Sequence, residues 1–131
     1  MPWTFTNSRP IYEQLIEQMS LRIIDQVYPP GSRLPSVREL AAEAQVNPNT
    51  MQRALTEMEK TGLIYAQSTS GRFITEDLSL IAACRLELAN SELRRFLGRM
   101  AQLGYDRASA LILIGQEADA KGEVVTDQEK E

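Results

Sequence analysis

Asn49, Gln52, Arg53, Thr56 and Lys60 recur three and four residues apart, the spacing that lays side chains along one side of a helix. Amides, hydroxyls and a guanidinium in that arrangement share one chemistry. They can donate to and accept from base edges in a major groove, Asn and Gln pairing with adenine and Arg with guanine. The same positions could equally form the solvated face of an ordinary amphipathic helix, and this helix by itself does not separate the two readings.

Bond-breaking chemistry is poorly supplied. The chain has no His and a single Cys, which excludes His-based triads and proton shuttles, an intrachain disulfide and a structural zinc site of the usual ligand set. No nucleophile–base pair, Gly-rich phosphate loop or metal cluster stands out, so no catalytic residue, metal ligand or cofactor is expected. Cys84, between Ala83 and Leu88, reads as a buried structural thiol rather than a redox sensor.

The elements that must hold the polar face are marked by their own caps. Ser36 and Glu39 form a capping box, so a helix of about nine residues begins at Val37, with Leu40, Ala41 and Ala44 on its apolar side. Asn47 is an N-cap followed by Pro48 at the first helical position, and the second helix runs to about Thr61, where Gly62 provides a left-handed C-cap. Met51, Ala54, Leu55 and Met58 line its inner side. Residues 63–66 and 72–75 are short apolar runs flanking the turn-rich Gln67-Ser68-Thr69-Ser70-Gly71, which predicts a β-hairpin. Two short helices followed by such a hairpin make a winged helix-turn-helix, with its second helix in the groove and its wing near the backbone or minor groove.

These residues also carry a resemblance. P-P-G-S-R-L-P-S-V-R-E-L-A from Pro29 to Ala41, V-N-P-N-T-M-Q-R-A-L from Val46 to Leu55, E-x-x-G-L-I from Glu59 to Ile64 and G-R-F-I from Gly71 to Ile74 resemble the GntR family of bacterial transcriptional regulators. The N-P-N-T variant, the opening P-I-Y-E-Q-L from Pro10 and the short tail resemble its YtrA-like subfamily. The resemblance implies DNA contacts by Arg38, by Asn47, Asn49, Thr50 and Gln52 at the start of the recognition helix, and by Ser70, Gly71 and Arg72 at the wing tip. The subfamily wing often reads R-G-x-G-x-F; this chain lacks the first Gly and its basic neighbour, and Arg72 is the substitute on offer. Arg53 joins the set from its place on the polar face, and the Ser70 and Gly71 amides are expected at the wing contact.

Around this unit the sequence builds a scaffold and a tail. Trp3 and Phe5 alternate with Thr4 and Thr6 in an extended arm that packs on the core. Ser8-Arg9-Pro10 starts a long helix with the apolar stripe Tyr12, Leu15, Ile16, Met19, Ile23 and Val27, stopped by Tyr28-Pro29-Pro30-Gly31. Arg9 and Arg33 read as solvated surface charges. After Asp77 a second long helix carries Leu86, Ala89, Leu93, Phe96, Met100 and Leu103 as an a/d seam, with Leu78, Ile81, Cys84 and Leu88 as another stripe. Gly104 ends it, Asp106 caps the next, and that helix is apolar on most sides through Leu111 and Ile114. One helix with two apolar faces needs two partners, so Leu86, Leu93, Phe96, Met100, Leu103, Leu111 and Ile114 are expected at a homodimer interface.

The expected fold is mainly α with a small β-hairpin: a winged helix-turn-helix over residues 1–76, a two-helix dimerisation segment over 77–120 and a disordered tail over 121–131. Net charge is −4 and the pI about 5.0, and the acid excess is the same on both sides of Asp77. DNA binding therefore has to rest on the local face, where Arg38, Arg53, Lys60 and Arg72 can converge. No apolar run approaches a bilayer span and no basic n-region precedes an apolar h-region at the N-terminus, so a cytoplasmic protein is expected. The expected function is a homodimeric repressor on an inverted-repeat operator in double-stranded DNA. A small effector, if one is used, would sit between tail and DNA-binding domain. The rival is a winged-helix protein-interaction module, favoured by the acidic pI and opposed by the polar outward face.

Overall fold

The computed structural model describes residues 1–120. In chain order it contains α1 (Ile11–Ile24), α2 (Val37–Ala44), α3 (Pro48–Thr61), β1 (Ile64–Ala66), β2 (Arg72–Ile74), α4 (Leu78–Gln102) and α5 (Arg107–Ala120). The chain divides into two compact units, residues 1–88 and Ala89 onward, and α4 contributes to both.

Local signals set the boundaries of α2 and α3. Ser36 Oγ accepts from the Glu39 amide at 3.1 Å while the Ser36 amide donates to Glu39 Oε1 at 2.9 Å, the reciprocal pair of a capping box. Asn47 Oδ1 accepts from the Asn49 amide at 2.7 Å, and Pro48 occupies the first turn. Gly62, at φ +85°, closes α3 in the left-handed region, as its position predicts. Between the two helices Gln45 takes the left-handed cap of α2 at φ +59°, a conformation the sequence does not advertise because Gln lacks the freedom of Gly.

One core serves the first unit. Leu15, Met19 and Ile23 from α1 meet Leu40, Ala41 and Ala44 from α2 and Met51, Ala54, Leu55 and Met58 from α3, closed by Leu34, Leu63, Ile64 and Ile74. Each of the large side chains contributes about 1.5–3 kcal/mol by leaving water. Trp3 and Phe5 pack against this core from an arm without strand structure. Gln14, buried in α1, holds the arm by accepting from the Thr6 amide at 2.9 Å and donating to the Thr6 and Arg9 carbonyls, both at 2.9 Å.

α1 ends earlier than expected, at Ile24 rather than at the Pro-Pro-Gly turn. Gln26 swings to φ +62°, and the Val27 amide donates back to the Arg22 carbonyl at 2.8 Å, so the final turn is closed before the prolines are reached. Val27 consequently leaves the apolar stripe and is half-exposed.

β1 and β2 pair antiparallel with Ile64 opposite Ile74, Tyr65 opposite Phe73 and Ala66 opposite Arg72. A third segment, residues 31–34, for which the sequence carries no strand signal, joins the other edge of β2. The Leu34 amide donates to the Arg72 carbonyl at 2.8 Å, the Ile74 amide to Ser32 at 2.9 Å and the Gly31 amide to Ile74 at 2.9 Å. Leu34 and Ile74 face the core, while Arg33 and Phe73 form the bridge between them.

The start of α4 belongs to the first unit: Asp77 Oδ1 accepts from the Ser79 amide at 3.0 Å, and Ile81 and Cys84 pack on the core. Leu78, expected on that stripe, is instead exposed, because it lies in the first turn before the helix reaches the core. Cys84 is half-buried rather than fully enclosed. In the second unit Leu93 and Leu97 of α4 line a shared cleft with Ala110 and Ile114 of α5, Ala110 is fully buried, and Gly104 (φ +94°) and Asp106 make the corner between the helices. Leu86, Leu93, Phe96 and Leu103 of the seam are exposed, as are Leu111, Ile112 and Ile114, whereas Met100 is half-buried. The expectation of a disordered tail at 121–131 falls outside the described residues.

Candidate nucleic-acid interface

The outer side of α3 is polar along its length. Asn49, Gln52, Arg53, Thr56 and Lys60 are all exposed, and Thr50 is half-exposed, while the opposite side is in the core. No large apolar side chain interrupts that face. Gln52 Nε2 lies 3.4 Å from Thr56 Oγ1, a long contact that leaves the amide able to turn to a base edge. Asn47 is exposed, but its side-chain oxygen is already used as the cap of α3, which leaves its NH2 group for a ligand.

Arg53 is held from outside the helix. Its guanidinium carbon lies 3.6 Å from the centre of the Tyr12 ring, a cation–π stack that limits its rotamers without neutralising its charge. Pro10, Ile11 and Tyr12 of the scaffold, with Asn49, Thr50 and Arg53, line a shallow depression of about 400 Å³ beside the start of α3. The sequence reading gave Tyr12 to the core and missed this role. Lys60, by contrast, is paired with Glu57 at 3.1 Å on the surface, an interaction worth little and easily exchanged.

Arg38 projects from the first turn of α2, exposed and without an ion pair among the described residues. Arg9 is not the solvated charge expected, since its two terminal nitrogens bind Glu17 at 2.9 and 2.8 Å.

The wing differs most from expectation. Arg72 Nε donates to Glu59 Oε2 at 2.6 Å, and the two side chains are only 20% and 28% exposed. Its charge is thus offset by a carboxylate from the end of α3. At the tip the turn Ser68–Ser70 is closed by the Gln67 amide donating to the Gly71 carbonyl and the Ser70 amide to the Gln67 carbonyl, both at 2.8 Å. The Ser70 amide is therefore consumed inside the turn. Gly71 adopts φ +102° and ψ −160°, a region essentially restricted to Gly.

A two-helix turn with a polar, exposed second helix and a small β-wing at its side defines the winged helix-turn-helix class of DNA-binding proteins. The model for bacterial regulatory proteins of the gntR family matches residues 11–74. Over 107 residues the chain is 36% identical to the uncharacterised HTH-type transcriptional regulator YhcF of Bacillus subtilis, covering 82% of this chain and 88% of that protein. It is 44% identical over 71 residues to the HTH-type transcriptional repressor YtrA of the same organism, a match covering 54% of this chain and 55% of YtrA. A GntR family transcriptional regulator from Listeria monocytogenes superimposes with a TM-score of 0.76 at 34% identity, covering 86% of this chain and 98% of that one. The chain belongs to the gntR family of bacterial regulatory proteins, and it is a DNA-binding transcriptional regulator.

Proposed function

We propose that the protein works as a homodimeric repressor that occupies an inverted-repeat operator, with no catalytic role. The observation that carries the dimer is the run of exposed Leu86, Leu93, Phe96 and Leu103 along α4 together with Leu111, Ile112 and Ile114 on α5. Seven large apolar side chains in water form a surface of the kind that marks a protein interface. Two copies joined by a two-fold axis would present two recognition helices to half-sites about one helical turn, or a multiple of it, apart. Repression is favoured because the similar YtrA carries that description.

Within each copy, Gln52 and Asn49 are assigned to base edges, Arg53 to the groove or its wall, and Arg38 to phosphate or a guanine edge. Asn47 and Thr50 sit at the helix start, where DNA backbone approaches, and Ser70, Gly71 and Arg72 mark the wing tip. No helix among the described residues is long and apolar enough to cross a membrane, which suits action on cytoplasmic DNA.

Fluorescence anisotropy on a duplex from the DNA upstream of its own gene, against a scrambled duplex at two salt concentrations, tests the reading. A cognate preference of about a thousandfold that weakens with salt is expected. Equal affinity for both duplexes would refute sequence-specific repression.

A further inference from the structure

The wing of this protein needs a positive charge to meet a polyanion, and its own tip has none. Ser68, Thr69, Ser70 and Gly71 are neutral, and Arg72 is half-enclosed with its Nε on Glu59. We propose that Arg33, reaching the wing tip from the third extended segment, is the cation through which the wing holds a DNA phosphate. This inference rests on the DNA-binding reading of the same face.

Three observations place Arg33 there. Backbone bonds on either side, from Leu34 to Arg72 at 2.8 Å and from Ile74 to Ser32 at 2.9 Å, lock residue 33 opposite Phe73 at the edge of the wing. Alternation along this segment sends Leu34 into the core and Arg33 to the outer face. Most directly, a Cβ built on Gly71 would stand 3.1 Å from Arg33 Nε, 3.3 Å from its Nη2 and 3.6 Å from its Cζ, so the Nε–Nη2 edge of the guanidinium lies against the tip at Gly71.

Unlike Arg72, Arg33 is exposed and makes no ion pair among the described residues. Glu39 and Glu43 line a depression with Arg33, but neither forms an ion pair with it; Glu39 accepts from the Ser36 amide, and Glu76 packs over Gly31 without reaching Arg33 as an ion pair. With its Nε–Nη2 edge at the tip, the guanidinium keeps the donors of its Nη1 side for a phosphate, and contact at Gly71 restricts its rotamers before DNA arrives. Phosphate rather than base recognition follows from its place beside a wing that meets the DNA backbone, so Arg33 adds affinity and orientation without sequence preference.

The test is the salt dependence of binding by the full chain to the upstream duplex and the scrambled duplex, for wild type and for R33Q, R33K, R72Q and Q52A. Each phosphate contact contributes about 0.9 to the slope of log affinity against log salt. R33Q should lower the slope by about that amount and weaken both duplexes alike, by about eightfold at about 0.1 M salt. R33K should keep most of the slope, which a packing role would not require, and R72Q should leave it unchanged. An unaltered slope in R33Q, or its loss in R72Q instead, overturns the assignment while the Q52A loss on the upstream duplex keeps the DNA reading intact. Wild-type protein that binds neither duplex overturns both.

Discussion

Replacing Gly71 by Ala should destabilise the protein by an amount that the wing geometry sets. At φ +102° and ψ −160° the backbone occupies a region that costs a side-chain-bearing residue about 1–3 kcal/mol. A second contribution is steric, because the new methyl group would meet Arg33 Nε at 3.1 Å. Nε lies in the middle of a long side chain, so the guanidinium can retreat by a few tenths of an ångström, at a cost of about 0.5 kcal/mol, the low end for coupled neighbours. The sum is about 2.5 kcal/mol at the middle of that range, or a fall in Tm of about 10–20 °C for a unit of this size. Calorimetry should be run at fixed protein concentration, since association shifts Tm by mass action. The double variant G71A/R33A should recover the steric part and keep the backbone part. G71A melting with the wild type would refute the glycine-only conformation, and a cost unchanged by R33A would refute the packing of Arg33 on the tip.

Q52A should lose about 1–3 kcal/mol on the cognate operator and relax specificity there, measured by anisotropy; equal weakening on random DNA would show that Gln52 does not read bases. M100D should place a charge within the apolar seam of α4 and halve the sedimentation mass, and an unchanged mass would remove this seam from the dimer interface. Asp77 sits below the usual carboxylate range because the Ser79 hydroxyl and amide donate to it; Asp106 is lowered by the Ser109 amide and hydroxyl. A lowered folded-state value means that each carboxylate stabilises its helix above the ordinary carboxylate pKa and loses that effect as pH falls through the lowered value. D77N should therefore melt below wild type at neutral pH, with the gap closing in acid. A gap that persists below that range would show that charge is not what Asp77 contributes.

What could be read from the sequence alone was whatever its own neighbours decide. The capping box of Ser36 and Glu39, Asn47 before Pro48, and Gly62 at the end of α3 act across three or four residues, and all appear where they were expected. The polar side of α3 was legible for the same reason, because helical periodicity assigns faces without reference to the rest of the chain. The tertiary structure decided which of those side chains remain available. Arg72 pairs with Glu59 and Arg53 stacks on Tyr12 across separations that no local pattern encodes. No local signal marks residues 31–34 as a strand; β2 offers them an unpaired edge, and only that pairing carries Arg33 to Gly71. Backbone groups along a sheet edge pair with whatever strand the packed core brings beside them, so the cation at the wing tip is a property of the fold rather than of the wing's own sequence.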